Sequence, residues 1–191
     1  MTCRRSSLIR VALIVLSVVT ILGVAFAQTP TRYRIVVEAE HHNAIKASCA
    51  EVNGDSTASN GGYIWYPIKR PHATSENPAV KGDGGYALYK VKIPAKGQYY
   101  VWVRGWWQDG CGNSWFLVVD DGDPQTEGQD ATYQTWKWRK ASQAYTLSAG
   151  VHTFKLQDRE DGARIDQILI TNDARFQPVR AMAETADYLV K

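Results

Sequence analysis

The sequence has 191 residues, of which 45% are hydrophobic and 21% charged, and it is rich in tryptophan and tyrosine, with seven and ten residues. Its 22 basic and 19 acidic residues give a formal charge of +3. The N-terminal 27 residues contain three of the arginines (Arg4, Arg5 and Arg10) and no acidic residue, so residues 28–191 are formally neutral. This balance gives no electrostatic support to nucleic-acid binding.

Residues 1–27 have the pattern of a secretory signal peptide. A basic start precedes the apolar run Val11 to Ala25, and Ala25-Phe26-Ala27 supplies a small-x-small cleavage pattern. The run has 15 residues, fewer than the ~20 that a membrane span needs. We therefore predict cleavage after Ala27, a secreted protein in an extracellular or periplasmic location, and no membrane association afterwards. An uncleaved N-terminal anchor is the alternative.

Two cysteines, Cys49 and Cys111, follow the predicted cleavage site. In an oxidising compartment an even pair of cysteines usually forms a disulfide. We predict this disulfide, with two unpaired thiols as the alternative. The Cys and His spacing does not match a zinc site.

Short β-strand patterns fill the rest of the chain. Gly, Pro, Asn and Asp separate these runs, as expected for strands joined by turns. About nine strands with this spacing predict an all-β, antiparallel sandwich over residues 28–173. Residues 174–191 are predicted to be a C-terminal tail, either helical or loose. In chain order the runs are RIVVEAE, GGYIWYPI, GYALYKVKI, GQYYVWVRGW, SWFLVVDD, TWKWRKA, AYTL, HTFKLQD and ARIDQILIT.

The run GQYYVWVRGW has one unusually aromatic face. Alternation places Tyr100, Trp102, Arg104 and Trp106 together. Such a face is either covered by loops or used for binding, for example by stacking on sugar rings. Core packing is the alternative for each tryptophan, because most tryptophans in a sandwich are core or corner residues.

Carboxylates interrupt two otherwise apolar strands. Glu38 and Glu40 are two residues apart and would share one strand face, and Asp166 would share a face with Ile168 and Ile170. Burying neighbouring carboxylates is costly unless a cation lies between them. If the first and last strands are neighbours, Glu38, Glu40 and Asp166 form a candidate calcium site. The alternative is carboxylates that face solvent or pair with arginines.

The sequence contains little that indicates catalysis. It has four histidines and no Gly-x-Ser-x-Gly motif. Asp120, Asp121 and Asp123 are interpreted as turn residues, and Glu160 and Asp161 as loop residues. We therefore predict no catalytic residue, although a small hydrolase or lyase stays open as a third hypothesis.

The order of several motifs resembles a known family. EAE, ASNGGYI, GYALYKVKIPAKGQYYVWVRG, SWFLVVDDG, YQTWKW and LSAGVHTFKLQDREDGARIDQILIT follow one another between about Val36 and Asp173. This order resembles the carbohydrate-binding modules of families 6 and 35 and related galactose-binding-like domains. The resemblance implies a jelly-roll β-sandwich with a structural calcium ion held by Glu38, Glu40, Asp166 and main-chain carbonyls.

The resemblance also implies a sugar site in loops at one edge of the sandwich. It places Tyr133 and Trp136 (in YQTW) and Tyr63 (in GGYI) there, with Trp65, Trp106 and Trp107 as a further platform. Two residues before the calcium Asp, the family often has Asn, whereas this sequence has Arg164. That departure indicates either an acidic sugar, since arginine pairs with carboxylates in bidentate fashion, or a lost site.

Two functions follow as hypotheses. The first is a secreted, non-catalytic carbohydrate-binding module with structural calcium, whose partner is a polysaccharide or glycan. The second is a self-associating structural or adhesive subunit of an extracellular layer or fibre, in which the N-terminal strand and the tail pack on neighbouring copies.

Overall fold

The computed structural model describes residues 31–67 and 84–191, and the predicted signal peptide lies outside this part of the chain. The described residues form β-strands and contain no α-helix, which confirms the predicted all-β class. Two three-residue 3-10 turns, Ser59–Gly61 and Ala186–Tyr188, are the helical elements present there. The strands are Arg34–Glu38 (β1), Ala44–Lys46 (β2), Ala50–Asn53 (β3), Gly62–Trp65 (β4), Tyr86–Ile93 (β5), Gly97–Trp106 (β6), Ser114–Val119 (β7), Gln125–Gly128 (β8), Lys137–Leu147 (β9), Gly150–Asp158 (β10) and Arg164–Thr171 (β11).

The strands form two antiparallel sheets, as expected for a β-sandwich. One sheet has the order β3-β4-β11-β6-β9, with β1 also paired to β11, and the other has the order β2-β5-β10-β7-β8. Alternation explains how each strand faces the core: in β5, alternate residues Ala87, Tyr89, Val91 and Ile93 are buried. The predicted antiparallel sandwich is therefore confirmed.

Strand β11 brings the two ends of the described sandwich together. Along one side it pairs with β6; along the other it pairs first with β4 at Arg164 and Ile165, then with β1 from Gln167 onward. A bulge between Ile165 and Gln167 marks the change of partner. Asp166 therefore lies where β1 and β4 meet, and the first and last strands are neighbours.

The space between the sheets is filled by large side chains. Trp107, Trp115, Tyr66 and Phe154 are each at most 1% exposed. The rings of Trp107 and Trp115 contact each other at a tilt, with centroids 5.2 Å apart. Burying a side chain of this kind stabilises the fold by about 1.5–3 kcal/mol.

The C-terminal segment packs on its own domain. Phe176 and Met182 cover a second apolar cluster on the outer face of the six-stranded sheet, made of Val36, Trp138 and Leu169. Further along, the segment adds backbone bonds to the sandwich: Thr185 N–H donates to the Val36 carbonyl (2.9 Å), and Val190 N–H donates to the Lys90 carbonyl (3.0 Å). Residues 174–191 are thus an ordered strap across the sandwich.

The predicted disulfide between Cys49 and Cys111 is not formed, and both thiols are free. Cys49 is 5% exposed and belongs to the main core cluster, whereas Cys111 lies on an exposed turn where its N–H donates to Asp109. The first is fixed by core packing and the second by a surface turn, so the fold does not bring them together.

In residues 31–67 and 84–191, no helix has the length and apolar character needed to cross a membrane.

Candidate functional site

The three predicted metal ligands converge at the junction of β1, β4 and β11. Glu38 Oε1 accepts hydrogen bonds from Ser59 Oγ (2.9 Å) and Gln167 Nε2 (2.8 Å). Asp166 Oδ1 accepts from the Ser59 N–H at 2.6 Å, and Oδ2 pairs with Arg104. We call Glu38, Glu40 and Asp166 the acidic cluster.

Two details of the cluster differ from the sequence prediction. β1 ends at Glu38, so Glu40 lies in the following turn instead of on the same strand face. The bulge in β11 turns Asp166 toward Arg104, whereas Ile168 and Ile170 point into the core. The convergence arises from the turn and the bulge, and not from strand alternation.

Glu40 is held at the cluster by close packing. Its Oε1 accepts a hydrogen bond from Asn60 Nδ2 at 3.0 Å. A Cβ atom on Gly62 would lie only 2.7 Å from Glu40 Cδ. The absence of a side chain at Gly62 therefore makes room for the Glu40 carboxylate.

Burial makes the cluster electrostatically unfavourable for anions. Desolvation, reinforced by Glu40 and Asp166, raises the pKa of Glu38 to about 7 despite the hydrogen bonds from Ser59 and Gln167. Desolvation likewise raises the pKa of Asp166 to about 6, against the lowering effect of Arg104. Glu38 Oε2 and Glu40 Oε2 are buried without a hydrogen-bond partner.

The donor chemistry of the cluster fits a hard cation, because calcium binds carboxylate and carbonyl oxygens. Two buried carboxylate oxygens lack partners, and each would gain one from an ion between Glu38 and Glu40. Asp166 is already occupied by Arg104 and Ser59. As the side chains stand, the described part of the chain has no group of three His, Cys, Asp or Glu residues arranged to hold a metal ion.

The predicted sugar-binding residues lie mostly on the outer face of the six-stranded sheet. Cross-strand pairing places Arg164 of β11 between Trp65 of β4 and Trp106 of β6. The Arg164 guanidinium carbon lies 3.8 Å from the Trp106 ring centroid and 5.6 Å from that of Tyr63. Arg164 Nε is buried without a hydrogen-bond partner.

The loop between β8 and β9 carries two further aromatics, Trp136 at this face and Tyr133 with its hydroxyl beside Gly110 in the turn after β6. The Trp136 ring meets Tyr63 edge-on, with centroids 5.6 Å apart, and its Nε1 donates to Thr57 Oγ1 at 3.1 Å. Tyr133 is 40% exposed, one of the few large hydrophobic residues in the described chain that faces solvent. We call Tyr63, Trp65, Trp106, Tyr133, Trp136 and Arg164 the aromatic–arginine surface.

Trp107 was predicted to join this surface, but it belongs to the core and is 0% exposed. Trp106 and Trp107 are consecutive, so their side chains point to opposite faces of the sheet. The same alternation, continued from Val101 and Val103, already indicates an inward Trp107.

An ion pair that the sequence did not indicate supports the loop. Arg139 binds Asp130 in bidentate fashion, at 3.1 Å from Nε to Oδ2 and 2.9 Å from Nη2 to Oδ1. Asp130 also accepts from Trp107 Nε1 at 3.0 Å and from the Thr132 N–H at 3.2 Å. Burial opposes ionisation of Asp130, but the hydrogen bonds from Arg139 and Lys137 hold its pKa at about 2.

Arg104 is a second residue that the predicted site lacked. Its guanidinium carbon lies 5.3 Å from the Trp136 ring centroid, and its Nη1 pairs with Asp166. The position of Arg104 between Trp102 and Trp106, on the aromatic face of β6, could have indicated its role from the sequence. By contrast, no local pattern in the sequence links Asp130 to Arg139.

Ser148, His152 and Asp120 are hydrogen-bonded in the order of a catalytic triad. His152 Nδ1 lies 2.7 Å from Asp120 Oδ2, and His152 Nε2 lies 3.2 Å from Ser148 Oγ. However, Nε2 is slightly closer, 3.1 Å, to the Ser148 carbonyl oxygen, and Ser148 lies in the exposed turn between β9 and β10. A carbonyl acceptor requires Nε2 to carry the proton, whereas a general base needs a free lone pair there. We interpret the arrangement as structural: His152 of β10 is hydrogen-bonded to the turn between β9 and β10 and to Asp120 after β7.

A cleft of about 560 Å³ lies beside Glu40 of the acidic cluster, between the segment that follows β1 and the C-terminal strap. Glu40, His41 and Asn43 form one wall, and Glu184 and Leu189 of the C-terminal strap form the other. His41 Nδ1 lies 2.9 Å from Glu184 Oε2, which ties the walls together. The aromatic residues predicted to bind sugar do not line it.

Comparison with solved structures identifies the architecture. The sandwich matches part of a GH26-CBM35 β-1,4-mannanase of Podospora anserina (TM-score 0.57, 15% identity), covering 76% of this chain and 29% of that one. It also matches a family 35 carbohydrate-binding module from Clostridium thermocellum (TM-score 0.53, 15% identity), covering 72% and 97%. A third match is the C-terminal family 6 module of a laminarinase from Zobellia galactanivorans (TM-score 0.50, 19% identity), covering 73% and 99%. The fold is that of the family 6 and family 35 carbohydrate-binding modules.

The predicted resemblance is thus confirmed at the level of the fold. No family model matches the sequence. An uncharacterized protein, P23 of Formosa agariphila, is 25% identical over 185 residues, which cover 81% of this chain. The match covers 43% of the length of that relative.

Proposed function

We propose that the protein is a non-catalytic carbohydrate-binding module that binds a polysaccharide or glycan on the aromatic–arginine surface. The observation that carries the proposal is the exposed Tyr133 ring, 40% accessible, on the loop that also places Trp136 against Tyr63. Exposed rings with a polar edge offer a flat apolar face to sugar CH groups and hydrogen bonds at the rim. The solved structures that share the fold include a family 6 and a family 35 carbohydrate-binding module, which supports the proposal.

Rigid support favours a binding role for this loop. Asp130 fixes the loop through five donors from Trp107, Thr132, Lys137 and Arg139. A loop that is already ordered loses less conformational entropy when a ligand binds. Pre-organisation of this kind suits a binding surface that holds its rings in one arrangement.

Calcium is part of the proposal as a structural ion. Glu38 and Glu40 would hold it, together with main-chain carbonyls and with Asp166 once Asp166 leaves Arg104. When bound, the ion would supply positive charge to buried carboxylate oxygens that otherwise repel each other. The acidic cluster joins β1, β4 and β11, so the expected benefit is stability of the sandwich.

Secretion to an extracellular or periplasmic location also belongs to the proposal, on the basis of the signal-like residues 1–27. The alternative of a self-associating adhesive subunit relied on the N-terminal strand and the C-terminal tail packing on neighbouring copies, whereas β1 pairs with β11 of the same chain. In the structure Thr185 and Val190 bond to the chain's own Val36 and Lys90. These contacts favour the carbohydrate-binding proposal over an assembly built on that segment.

A glycan array probed with the full chain tests the proposal. We expect binding to at least one polysaccharide, weakened about tenfold or more by Tyr133→Ala or Trp136→Ala, since loss of a central ring costs over 1.4 kcal/mol. Tyr86→Ala, which removes a partly exposed ring from the opposite sheet, is the matched control. Binding to no glycan, or equal losses for Tyr86→Ala and Tyr133→Ala, contradicts the proposal.

A further inference from the structure

Arg164 lies at the centre of the aromatic–arginine surface with its charge unpaired. In the described part of the chain, Arg34, Arg104, Arg139 and Arg159 each have a carboxylate within 4.0 Å, whereas Arg164 has none. A partly buried charge without a counter-charge is unfavourable. Arg164 is therefore a position at which an anion would be favourable.

The nearest acidic influence on Arg164 comes from Asp55, but that carboxylate is committed elsewhere. Asp55 Oδ1 accepts hydrogen bonds from Thr57 N–H (2.9 Å) and Thr57 Oγ1 (2.6 Å). These bonds, with a smaller contribution from Arg164, lower the pKa of Asp55. Asp55 therefore interacts with Arg164 only through longer-range electrostatics and does not accept a hydrogen bond from its guanidinium.

Stacking determines which part of Arg164 a ligand can reach. The guanidinium carbon lies 3.8 Å from the Trp106 centroid, so the cation covers one face of that ring. Trp106 therefore does not offer that face to a sugar. This differs from the sequence prediction, in which Trp106 formed part of a sugar-binding platform. A stacked guanidinium still presents N–H donors along its edge, in the geometry that matches two oxygens of one anionic group.

The buried Nε atom supports the same interpretation. Arg164 Nε has no hydrogen-bond partner in the structure. An unsatisfied buried donor costs free energy, and a bidentate anion contacting Nε and one terminal nitrogen would supply the missing acceptor. A neutral sugar hydroxyl could satisfy Nε but would leave the charge uncompensated.

We propose that Arg164 selects an anionic group, a carboxylate or a sulfate, on the glycan that the aromatic–arginine surface binds. This inference rests on the proposed function and assigns it a ligand class. Tyr63 and Trp136 contribute contact area beside Arg164, and the guanidinium edge distinguishes charged from neutral glycans.

The test uses matched pairs of glycans that differ only in charge. The full chain is titrated with polygalacturonate and its methyl ester, and with dextran sulfate, carboxymethyl dextran and dextran. We expect the anionic member of at least one pair to bind about 10-fold or more tightly, as charge-assisted hydrogen bonds allow. Carboxymethyl dextran and dextran sulfate, each compared with dextran, distinguish carboxylate from sulfate as the preferred group.

Variants locate the preference at Arg164. Arg164→Gln should reduce the preference to within about twofold, and Arg164→Lys should keep part of it, because lysine retains the charge but not the planar fork. Arg175→Gln removes the same charge from an exposed site within the strap and should leave the preference unchanged. Melting temperatures of all variants show whether Arg164→Gln remains folded, and Arg164→Lys tests the proposal if it does not.

The outcomes separate this inference from the function on which it rests. Binding of neutral and anionic members with equal affinity, or a preference that survives Arg164→Gln, overturns the anionic assignment and leaves carbohydrate binding standing. An equal loss in Arg175→Gln shows general electrostatic attraction, which also overturns it. Binding to no member of these pairs or of the array overturns both.

Discussion

Asp166 pairs with Arg104, and this contact links the acidic cluster to the aromatic–arginine surface. The Asp166 side chain is 0% exposed, and the Arg104 guanidinium also lies 5.3 Å from the Trp136 ring centroid. One arginine thus neutralises a carboxylate of the proposed ion site while packing on a ring of the proposed sugar site. We therefore expect a substitution in the acidic cluster to alter the aromatic–arginine surface, and a substitution in that surface to alter the acidic cluster.

Calcium is expected to stabilise the protein. At a calcium concentration 100 times the dissociation constant, binding contributes about 2.7 kcal/mol, or roughly 5–10 °C in melting temperature for a domain of this size. Glu38→Gln should abolish most of this increase, while its amide oxygen can still accept the hydrogen bonds from Ser59 and Gln167. The measurement is thermal unfolding with calcium and with chelator.

Asp187→Asn, on the exposed face of the second 3-10 turn, is the control for the loss of one negative charge. It should melt with the same calcium dependence as the wild type. Equal melting temperatures of the wild type in calcium and in chelator would remove the ion from the proposed function.

Asp130 should make stability depend on pH in the acid range. Its folded pKa of about 2 lies below the ordinary value of 3.8, so its contribution is present above about pH 4 and is lost as the pH falls through 2. Allowing for the partial exposure of the carboxylate, we expect a contribution on the order of 1–2 kcal/mol. Urea unfolding at several pH values between 2 and 6 measures it.

Asp130→Asn should be less stable at neutral pH and should lack this part of the pH dependence. Asp123→Asn, in an exposed turn, should follow the wild-type curve. A wild-type profile that matches Asp130→Asn across this range would show that the ion pair with Arg139 contributes nothing to folding.

Substitutions of Trp107 and Tyr133 should affect different properties, the first the stability of the fold and the second glycan binding. Trp107→Ala is expected to cost about 3–5 kcal/mol, since it leaves a cavity between the sheets and removes a donor to Asp130. Tyr133→Ala should change stability by about 0.5 kcal/mol or less while weakening glycan binding. Denaturant unfolding together with binding titration gives both quantities, and a large stability loss in Tyr133→Ala would contradict the assignment of that ring to the surface.

The two cysteines of the described domain should react as separate thiols. Cys111 is exposed, whereas Cys49 is buried and desolvation raises its pKa to about 12. In a Cys3→Ser background we expect one thiol to be labelled quickly in the native protein and a second only after unfolding. A reducing agent should leave the melting temperature unchanged, whereas two protected thiols that reappear on reduction would indicate a disulfide.

The sequence predicted those features that depend on local pattern. Alternation in β5 and β6 identified strands and their buried faces, and the turn residues separated them, so the antiparallel sandwich followed. The order of motifs then indicated the architecture. Carboxylates in the otherwise apolar strands β1 and β11 singled out Glu38 and Asp166, and both accept hydrogen bonds from Ser59 in the structure.

Features that depend on contacts between distant segments could not be predicted in this way. The bulge that turns Asp166 to Arg104, the pairing of Asp130 with Arg139, and the return of the strap to Val36 each depend on segments that meet only after folding. The cysteine prediction was wrong for the same reason: composition shows that two thiols exist, but the distance between them is a property of the packed chain.

By itself, the sequence determined an aromatic-rich sandwich, formally neutral over residues 28–191, with carboxylates in two otherwise apolar strands, because strand alternation and side-chain polarity are local properties. Tertiary structure alone decided which aromatics face solvent and which charges are compensated, because burial and ion pairing depend on neighbours across the sheets. Arg164 shows the difference: the sequence marked it as a departure, and the fold placed it on Trp106 with its charge unpaired.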